Sequence, residues 1–380
     1  MNFDLLTEKW LPVLTLDKKQ EKLGLIELFA RAHTLDRIVH DNPLVVSAIN
    51  RFLIAIATRC VGGVSSDTFK TVFHAGRFDN IVREYLRSPQ CNNKFNLFDK
   101  TAPFYQTPLL KQDKTTDIRK LSNAYSVGSN KSLFNHSHRK DGFLMDSSEV
   151  ALRLIEGQCA GLGGGVSGTS SLGKHPNFKQ AQLIGATSFY IHAQTLFDFL
   201  MLNNPALSDD EVGVPVWERT QEFSLTPRKL DGWCDYLTQQ SRAINVIHGN
   251  DGRCSEMYYA QGESLEAEKS LLDPYFFYVE NVTLKRTVPA DFELQLKQGR
   301  TSPKMFLLQL MSKKAVHEKL PVGLENLAFI HELGWCSPML NNLKCNVTGL
   351  VNNKANPLDW YEYIVDIPPF LAIDLAQSAV

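Results

Sequence analysis

Apolar positions recur at helical spacing through the first quarter of the chain, and after residue 240 short, strand-like runs alternate with two further helical stretches. The opening, Phe3-Asp4-Leu5-Leu6-Thr7-Glu8-Lys9-Trp10-Leu11-Pro12-Val13, alternates loosely and predicts an edge strand with a turn. Residues 25–32 predict a short helix and 43–60 a longer one. In the second, Val45, Ile49, Phe52, Leu53 and Ile56 share one face, Asn42 stands at the cap position and Pro43 suits a first turn. Residues 67–86 continue the pattern with Phe69, Val72, Phe73, Ile81, Val82 and Tyr85 behind Ser66 or Asp67 as cap. These stripes face a core and carry no chemistry.

Further along, the pattern predicts a short helix at 147–156, a strand at 182–184, a mostly buried helix at 187–202 and a loop at 203–214. A helix at 230–240 leads into a strand at 243–247, with strands near 257–260 and 275–282 and helices at 303–312 and 324–333. The chain closes on a hairpin, 345–351 and 358–365, joined by Asn352-Asn353-Lys354-Ala355-Asn356-Pro357. No repeat, low-complexity tract or Pro/Gly linker divides the 380 residues. The expected fold class is α+β, one large mixed domain over residues 1–380 with a glycine loop and a C-terminal β-hairpin.

Composition narrows this picture. Hydrophobic residues make up 43% and charged residues 21%, so there is enough apolar surface to build a core and wholesale disorder is excluded. The net charge of −1 excludes a uniformly basic binder but says nothing about a local basic groove. Seven cysteines without a C-x-x-C pair argue against a disulfide framework or a structural zinc site and for reduced, mostly buried thiols. The N-terminus has no basic-then-apolar leader, and the most apolar stretch, 43–57, is interrupted by Asn50 and Arg51 and reads as too short to span a bilayer. A cytoplasmic protein with no membrane partner and no cofactor is expected.

Two regions depart from ordinary core patterning. Residues 111–140 form a long polar stretch with seven Lys/Arg (111, 114, 119, 120, 131, 139, 140) against Asp113 and Asp117, with His136 and His138 among them. Long loops of this kind in compact domains are commonly functional or disordered. The second region, 161–173, holds six glycines in thirteen residues, and no acidic residue occurs between Glu156 and Asp198.

Several constellations fail as catalytic motifs. Gly168-Thr169-Ser170-Ser171-Leu172-Gly173-Lys174-His175 has the spacing of a phosphate loop, but His175 replaces the magnesium-binding hydroxyl and no preceding strand or following helix is predicted. Gly165-Val166-Ser167-Gly168 lacks nucleophile-elbow spacing, and His331-Glu332 lacks the second histidine of a zinc protease. His248-Gly249-Asn250-Asp251 is explained by turn chemistry, and His136 with His138 lacks a third metal ligand. No motif demands catalysis. The glycine run has two readings: a loop whose glycines permit positive φ, or a bare main chain that lies against a phosphate or enters a groove. The hairpin tip likewise reads as an ordinary turn or as a lysine placed to probe bases or phosphates.

Taken in order, these segments resemble the large-subunit (CasA) family of the type I-E CRISPR surveillance complex, Cascade. The resemblance is carried by residues 3–13, by Phe95-Asn96-Leu97-Phe98-Asp99 followed by Pro103-Phe104-Tyr105-Gln106-Thr107-Pro108, and by Ser129 to His136. Gly163-Gly164-Gly165, Leu237-Thr238-Gln239-Gln240-Ser241-Arg242 and Asn352-Asn353-Lys354-Ala355 complete it. It implies a non-catalytic subunit that inspects double-stranded DNA for the short flanking motif, the PAM, and helps part the strands, while guide RNA pairing reads the target. Gly163, Gly164 and Gly165 would approach the PAM minor groove, whose readout is degenerate. Asn353, Lys354 and Ala355 would form the wedge. Asn130, Lys131, Leu133, Phe134, Asn135, Arg139 and Lys140 would contact the guide RNA handle or neighbouring subunits. The implied partners are the CRISPR guide RNA, target duplex DNA and the other Cascade subunits.

Two departures stand out. The family usually has glutamine at the wedge tip, where this sequence has Lys354. The family also usually continues into a C-terminal four-helix bundle, whereas only residues 368–380 follow the last strand, so the N-terminal α+β domain without a bundle is expected. A variant complex is then expected, its nuclease fused to another subunit or replaced by a transposition partner. The rival functions are a scaffold that caps the guide RNA 5′ handle and a nucleotide hydrolase using residues 168–174.

Overall fold

The N-terminal alternation condenses into a three-stranded antiparallel sheet of β1 (Leu11–Thr15), β2 (Gln20–Leu23) and β3 (Leu35–Ile38), ordered β2-β1-β3. The structure is a computed structural model describing residues 2–125, 142–165, 170–173, 177–220, 223–266, 272–281, 286–289, 320–332, 343–353 and 356–367. β1 is the central strand, not the expected edge, because β2 and β3 pair with its two sides. The preceding residues turn instead: the Asp4 carboxylate accepts from the Leu6 N–H at 3.0 Å, and the buried Trp10 indole donates to the Leu5 carbonyl at 2.9 Å.

After α1 (Leu25–Arg31), the long apolar stretch forms α2 (Pro43–Val61). The Asn42 side chain accepts the Leu44 N–H and Gly62, at φ 80°, ends the helix. Its 19 residues are long and apolar enough to cross a membrane, more than the interrupted pattern indicated, yet every residue from Pro43 to Thr58 is buried inside the fold. The run expected at 67–86 is two helices, α3 (Asp67–Ala75) and α4 (Ile81–Leu86). Gly76 turns left-handed at φ 66° and breaks it, while Ser66 caps α3 by accepting the Phe69 N–H.

Strand β4 (Thr116–Asp117) precedes α5 (Ser147–Ala160), which runs one turn past the expected 147–156. Residues 182–184 are a turn, not a strand: Ile184 N–H donates to Ala181 and the Gln182 side chain donates to the Tyr236 carbonyl. The expected helix at 187–202 is instead β5 (Thr187–His192) followed by α6 (Leu196–Leu202), capped by Thr195. An all-apolar run cannot distinguish a buried strand from a buried helix by periodicity.

Next come α7 (Gly232–Leu237), β6 (Arg242–His248) and β7 (Cys254–Gln261), with β4 added to give the sheet β4-β7-β6. β8 (Tyr278–Asn281) pairs with β9 (Arg286–Pro289), and α8 (Val322–Glu332) overlaps the helix expected at 324–333. The helix expected at 303–312 lies outside the described residues. β10 (Lys344–Asn353) and β11 (Asn356–Asp366) form the closing hairpin, and β10 pairs with β5 in the sheet β11-β10-β5.

α2 is the hub. Phe52 meets Trp10, Phe104, Tyr105 and Trp217 at ring-centroid distances of 5.6–6.4 Å. Next to it, fully buried Arg51 donates twice to Asp273, at 2.8 and 2.7 Å, which ties α2 to the segment before β8.

Candidate nucleic-acid interface

The glycine run leaves the end of α5 over a tightly packed floor. A Cβ on Gly161 would stand 2.7 Å from the Arg242 guanidinium, so a larger residue there would have to displace Arg242. At Gly164 the main chain forms a two-way bridge with Phe178: Gly164 N–H donates to the Phe178 carbonyl at 3.1 Å, and Phe178 N–H donates back at 2.9 Å. Gly163 is half-buried, with Gln180 and Phe178 at 3.2 Å from a hypothetical Cβ. Gly164 and Gly165 are exposed, and a Cβ on Gly165 would meet open space. The run is therefore a pinned ridge whose outer edge carries no side chains.

Beyond it, residues 170–173 make a turn fastened to the start of the basic stretch. Ser171 N–H donates to the Lys111 carbonyl at 2.9 Å, and Lys111 N–H donates to the Ser171 hydroxyl at 2.8 Å. A phosphate loop requires a strand before it, and here the preceding element is helix α5, which removes the context for the nucleotide-binding reading.

Beneath the ridge lies Arg242, with no exposed surface. Its guanidinium donates to the carbonyls of Leu162 (3.1 Å), Lys179 (2.8 Å) and Ser241 (2.8 Å) and to the Tyr259 hydroxyl (3.1 Å). Those bonds hold both arms of the glycine ridge. Four arginines are buried among the described residues. Arg51, Arg119 and Arg153 each have a carboxylate partner; Arg242 has none. Its charge is instead met by dipoles and by the Phe178 ring, 5.3 Å from the guanidinium carbon. Lys120, exposed on the short turn Ile118–Leu121, brings its ammonium to 5.1 Å from both the Phe178 and Tyr259 rings. Desolvation beside these rings, together with the charge of Arg242, lowers the Lys120 pKa.

The hairpin is the second candidate element. Its strands run further than the expected 345–351 and 358–365, reaching Asn353 paired with Asn356, so only Lys354 and Ala355 remain between them. Their placement lies outside the described residues, as do Asn130, Lys131, Leu133, Phe134, Asn135, Arg139 and Lys140. The base of the hairpin is firmly seated. Gly349 sits opposite Tyr361, whose hydroxyl shares a 2.8 Å hydrogen bond with Thr187 on β5, and Thr348 meets Ser47 of α2 at 2.7 Å. A register shift between Val351 and Asn352 marks an irregularity just below the tip.

The remaining candidates resolve structurally. His248 caps its own turn through the Gly249 carbonyl. Among the described residues six of the seven cysteines occur and all six are free; burial raises their thiol pKa values, Cys159 to about 11 and Cys254 to about 12. Among the described residues no group of three His, Cys, Asp or Glu could hold a metal ion. A cavity of about 390 Å³ opens near the N-terminus among Asp4, Ile26, Leu86, Cys91 and Asn96, with no glycine-ridge or hairpin residue in its lining.

The family model for CRISPR-associated protein Cse1 matches residues 4–379. The chain belongs to the Cse1 (CasA) family. The CasA/Cse1 protein of Thermus thermophilus is 28% identical over 275 residues, 70% of this chain, and the match spans 53% of that relative's length. The Thermus thermophilus CasA structure superposes with TM-score 0.77 at 22% identity, covering 99% of this chain and 76% of that one. Thermobifida fusca Cse1 gives 0.80 at 21% identity, covering 99% and 75%. A chain in a CRISPR RNA-guided surveillance complex gives 0.80 at 20%, covering 96% and 76%. The mixed helix-and-sheet fold expected from the sequence is thus a Cse1 fold. Within that family frame, sequence reasoning singled out the glycines but missed Phe178, Tyr259 and the role of Arg242. The only advance signals were the missing acids between residues 156 and 198 and the resemblance of the 237–242 stretch.

Proposed function

We propose that this chain is the DNA-inspecting large subunit of a type I-E Cascade-like complex, working without catalysis beside a guide RNA and the other subunits. Duplex DNA docks electrostatically, the Gly163–Gly164–Gly165 ridge examines the PAM minor groove, and the hairpin tip at Asn353, Lys354 and Ala355 enters between the strands to start the R-loop. The observation that carries the reading is the ridge itself: exposed main chain without side chains, pinned at Gly164, over a buried cation with no carboxylate partner among the described residues. A bare backbone over positive charge suits close approach to a narrow, phosphate-walled groove. A lysine at the wedge position separates strands sterically and adds a point charge for phosphate, in place of amide contacts to bases. By family resemblance, Asn130, Lys131, Leu133, Phe134, Asn135, Arg139 and Lys140 would contact the guide RNA handle or neighbouring subunits.

The test compares guide-loaded complexes with and without this chain on target duplexes with randomised flanks at fixed salt. Flank preference should vanish when the chain is left out. Docking should weaken as salt rises. Lys354→Ala should slow R-loop formation on linear duplex while leaving guide-RNA assembly intact; equal R-loop rates for variant and parent would sink the wedge assignment.

A further inference from the structure

The Cse1 comparison assigns no role to Lys120, Phe178, Tyr259 and Arg242, yet together they form an unusual charge arrangement. Two cations approach the same aromatic pair: Lys120 lies 5.1 Å from each ring centroid, and Arg242 reaches Phe178 at 5.3 Å and hydrogen-bonds Tyr259. The rings themselves are 5.3 Å apart. Among the described residues, neither cation has a carboxylate within salt-bridge distance, and no acidic residue occurs between Glu156 and Asp198.

The two cations play different parts. Arg242 spends its donors on fixed carbonyls and is sealed from solvent, so it cannot reach a ligand, but its charge persists beneath the ridge. Lys120 is exposed, and its ammonium has only ring faces for partners among the described residues. Ring faces are weak acceptors and do not cancel its charge, so the ammonium retains N–H donor capacity for an anion. Placing two like charges on one aromatic pair is unfavourable unless a negative group neutralises the outer one. Phe178, the ring under Lys120, is also the residue whose main chain bridges Gly164. An anion on Lys120 would therefore lie against the side of the glycine ridge.

We propose that Lys120, supported by the Phe178–Tyr259 ring pair, is a contact for a backbone phosphate of duplex DNA flanking the glycine ridge, setting the depth at which the ridge meets the groove. A flexible ammonium acts as a point charge and does not read a base, so the contact positions and does not select. This inference rests on the DNA-inspecting reading given above.

The experiment uses the assembled guide-loaded complex and target duplexes over a salt series. Lys120→Gln should weaken binding several-fold with every flanking sequence, keep the rank order of flanks, and make the log–log salt dependence shallower by about 0.9, the signature of one lost phosphate contact. Lys120→Arg should restore the slope. In parallel, single methylphosphonate substitutions along the flank should reveal one phosphate whose neutralisation weakens the parent complex but adds nothing to Lys120→Gln. That arm uses unaltered protein as its reference, so a folding defect in the variant cannot imitate the result. An unchanged salt slope, no non-additive phosphate, or a loss confined to guide-RNA loading would each overturn the proposal. A parent complex whose duplex affinity is indifferent to this chain would overturn the DNA-inspecting reading and the proposal with it.

Discussion

Arg51 and Arg242 are both fully buried, yet they belong to different kinds of structure. Arg51, in the helical hub, faces Asp273, and the carboxylate also accepts from the Tyr236 hydroxyl and the Tyr275 N–H. That pair is electrically closed: little of its field leaves the core. Arg242, at the floor of the glycine ridge, faces carbonyls and a tyrosine hydroxyl. Dipoles stabilise its charge without cancelling it. A buried ion pair holds a fold together, whereas a buried unpaired cation also charges the surface above it.

The largest effect that sharpens this contrast comes from opening the closed pair. Asp273→Ala leaves Arg51 buried and uncompensated and should cost about 3–5 kcal/mol in denaturant unfolding. The double change Arg51→Met with Asp273→Leu should recover much of that loss, because the desolvation of both charges disappears together. Arg242→Met should cost less, about 1–3 kcal/mol, from carbonyls left without donors. Its loss should be accompanied by faster amide exchange at Gly164. If Arg242→Met proved as damaging as Asp273→Ala, the contrast between the two arginines would break.

A smaller effect calibrates both by strain with no charge involved. At Gly349 on β10, an added Cβ would stand 2.2 Å from the Tyr361 hydroxyl. Gly349→Val should cost about 1 kcal/mol, the low end of overpacking, since half-exposed Tyr361 can swing aside after giving up Thr187. The readout is the same unfolding titration, and a neutral result would show that the hairpin base is looser than its register implies.

The smallest effect is set by pH. His192, on β5 beside Lys344 of β10, is held below the ordinary histidine pKa by burial and by nearby Arg37; His40 is lowered likewise by burial and Arg153. The unfolded chain takes up these protons near pH 6.5 while the folded chain resists them. Stability should therefore be flat above about pH 6.5 and fall as pH drops below it. His192→Gln should remove part of that slope, measured by thermal melting between pH 7 and 5, and an identical slope in the variant would clear His192 of any part in it.

Local chemistry was legible from residue types alone. The caps at Asn42 and Ser66, the extent of α2, the β6 strand and the closing hairpin follow from short-range rules of spacing, capping and turns. The glycine run and its acid-free surroundings were equally plain, since neither depends on what packs against them. Errors arose where partners distant in sequence decide the outcome. β1 is central because β3 arrives on its second side, and residues 187–192 are a strand because β10, more than 150 residues later, pairs with them. The run at 67–86 broke at Gly76, where one left-handed residue outweighed an otherwise continuous stripe.

The candidate interface divides along the same line. By itself the sequence determined where bare main chain and a lysine-tipped turn occur, because those are properties of consecutive residues. Only the tertiary structure decided that Arg242 would lie under Gly161, that Phe178 would bridge Gly164, and that Lys120 would share its rings. Residues 120, 161, 178, 242 and 259 meet through long-range packing, and electrostatic fields depend on distances in space that spacing along the chain does not encode.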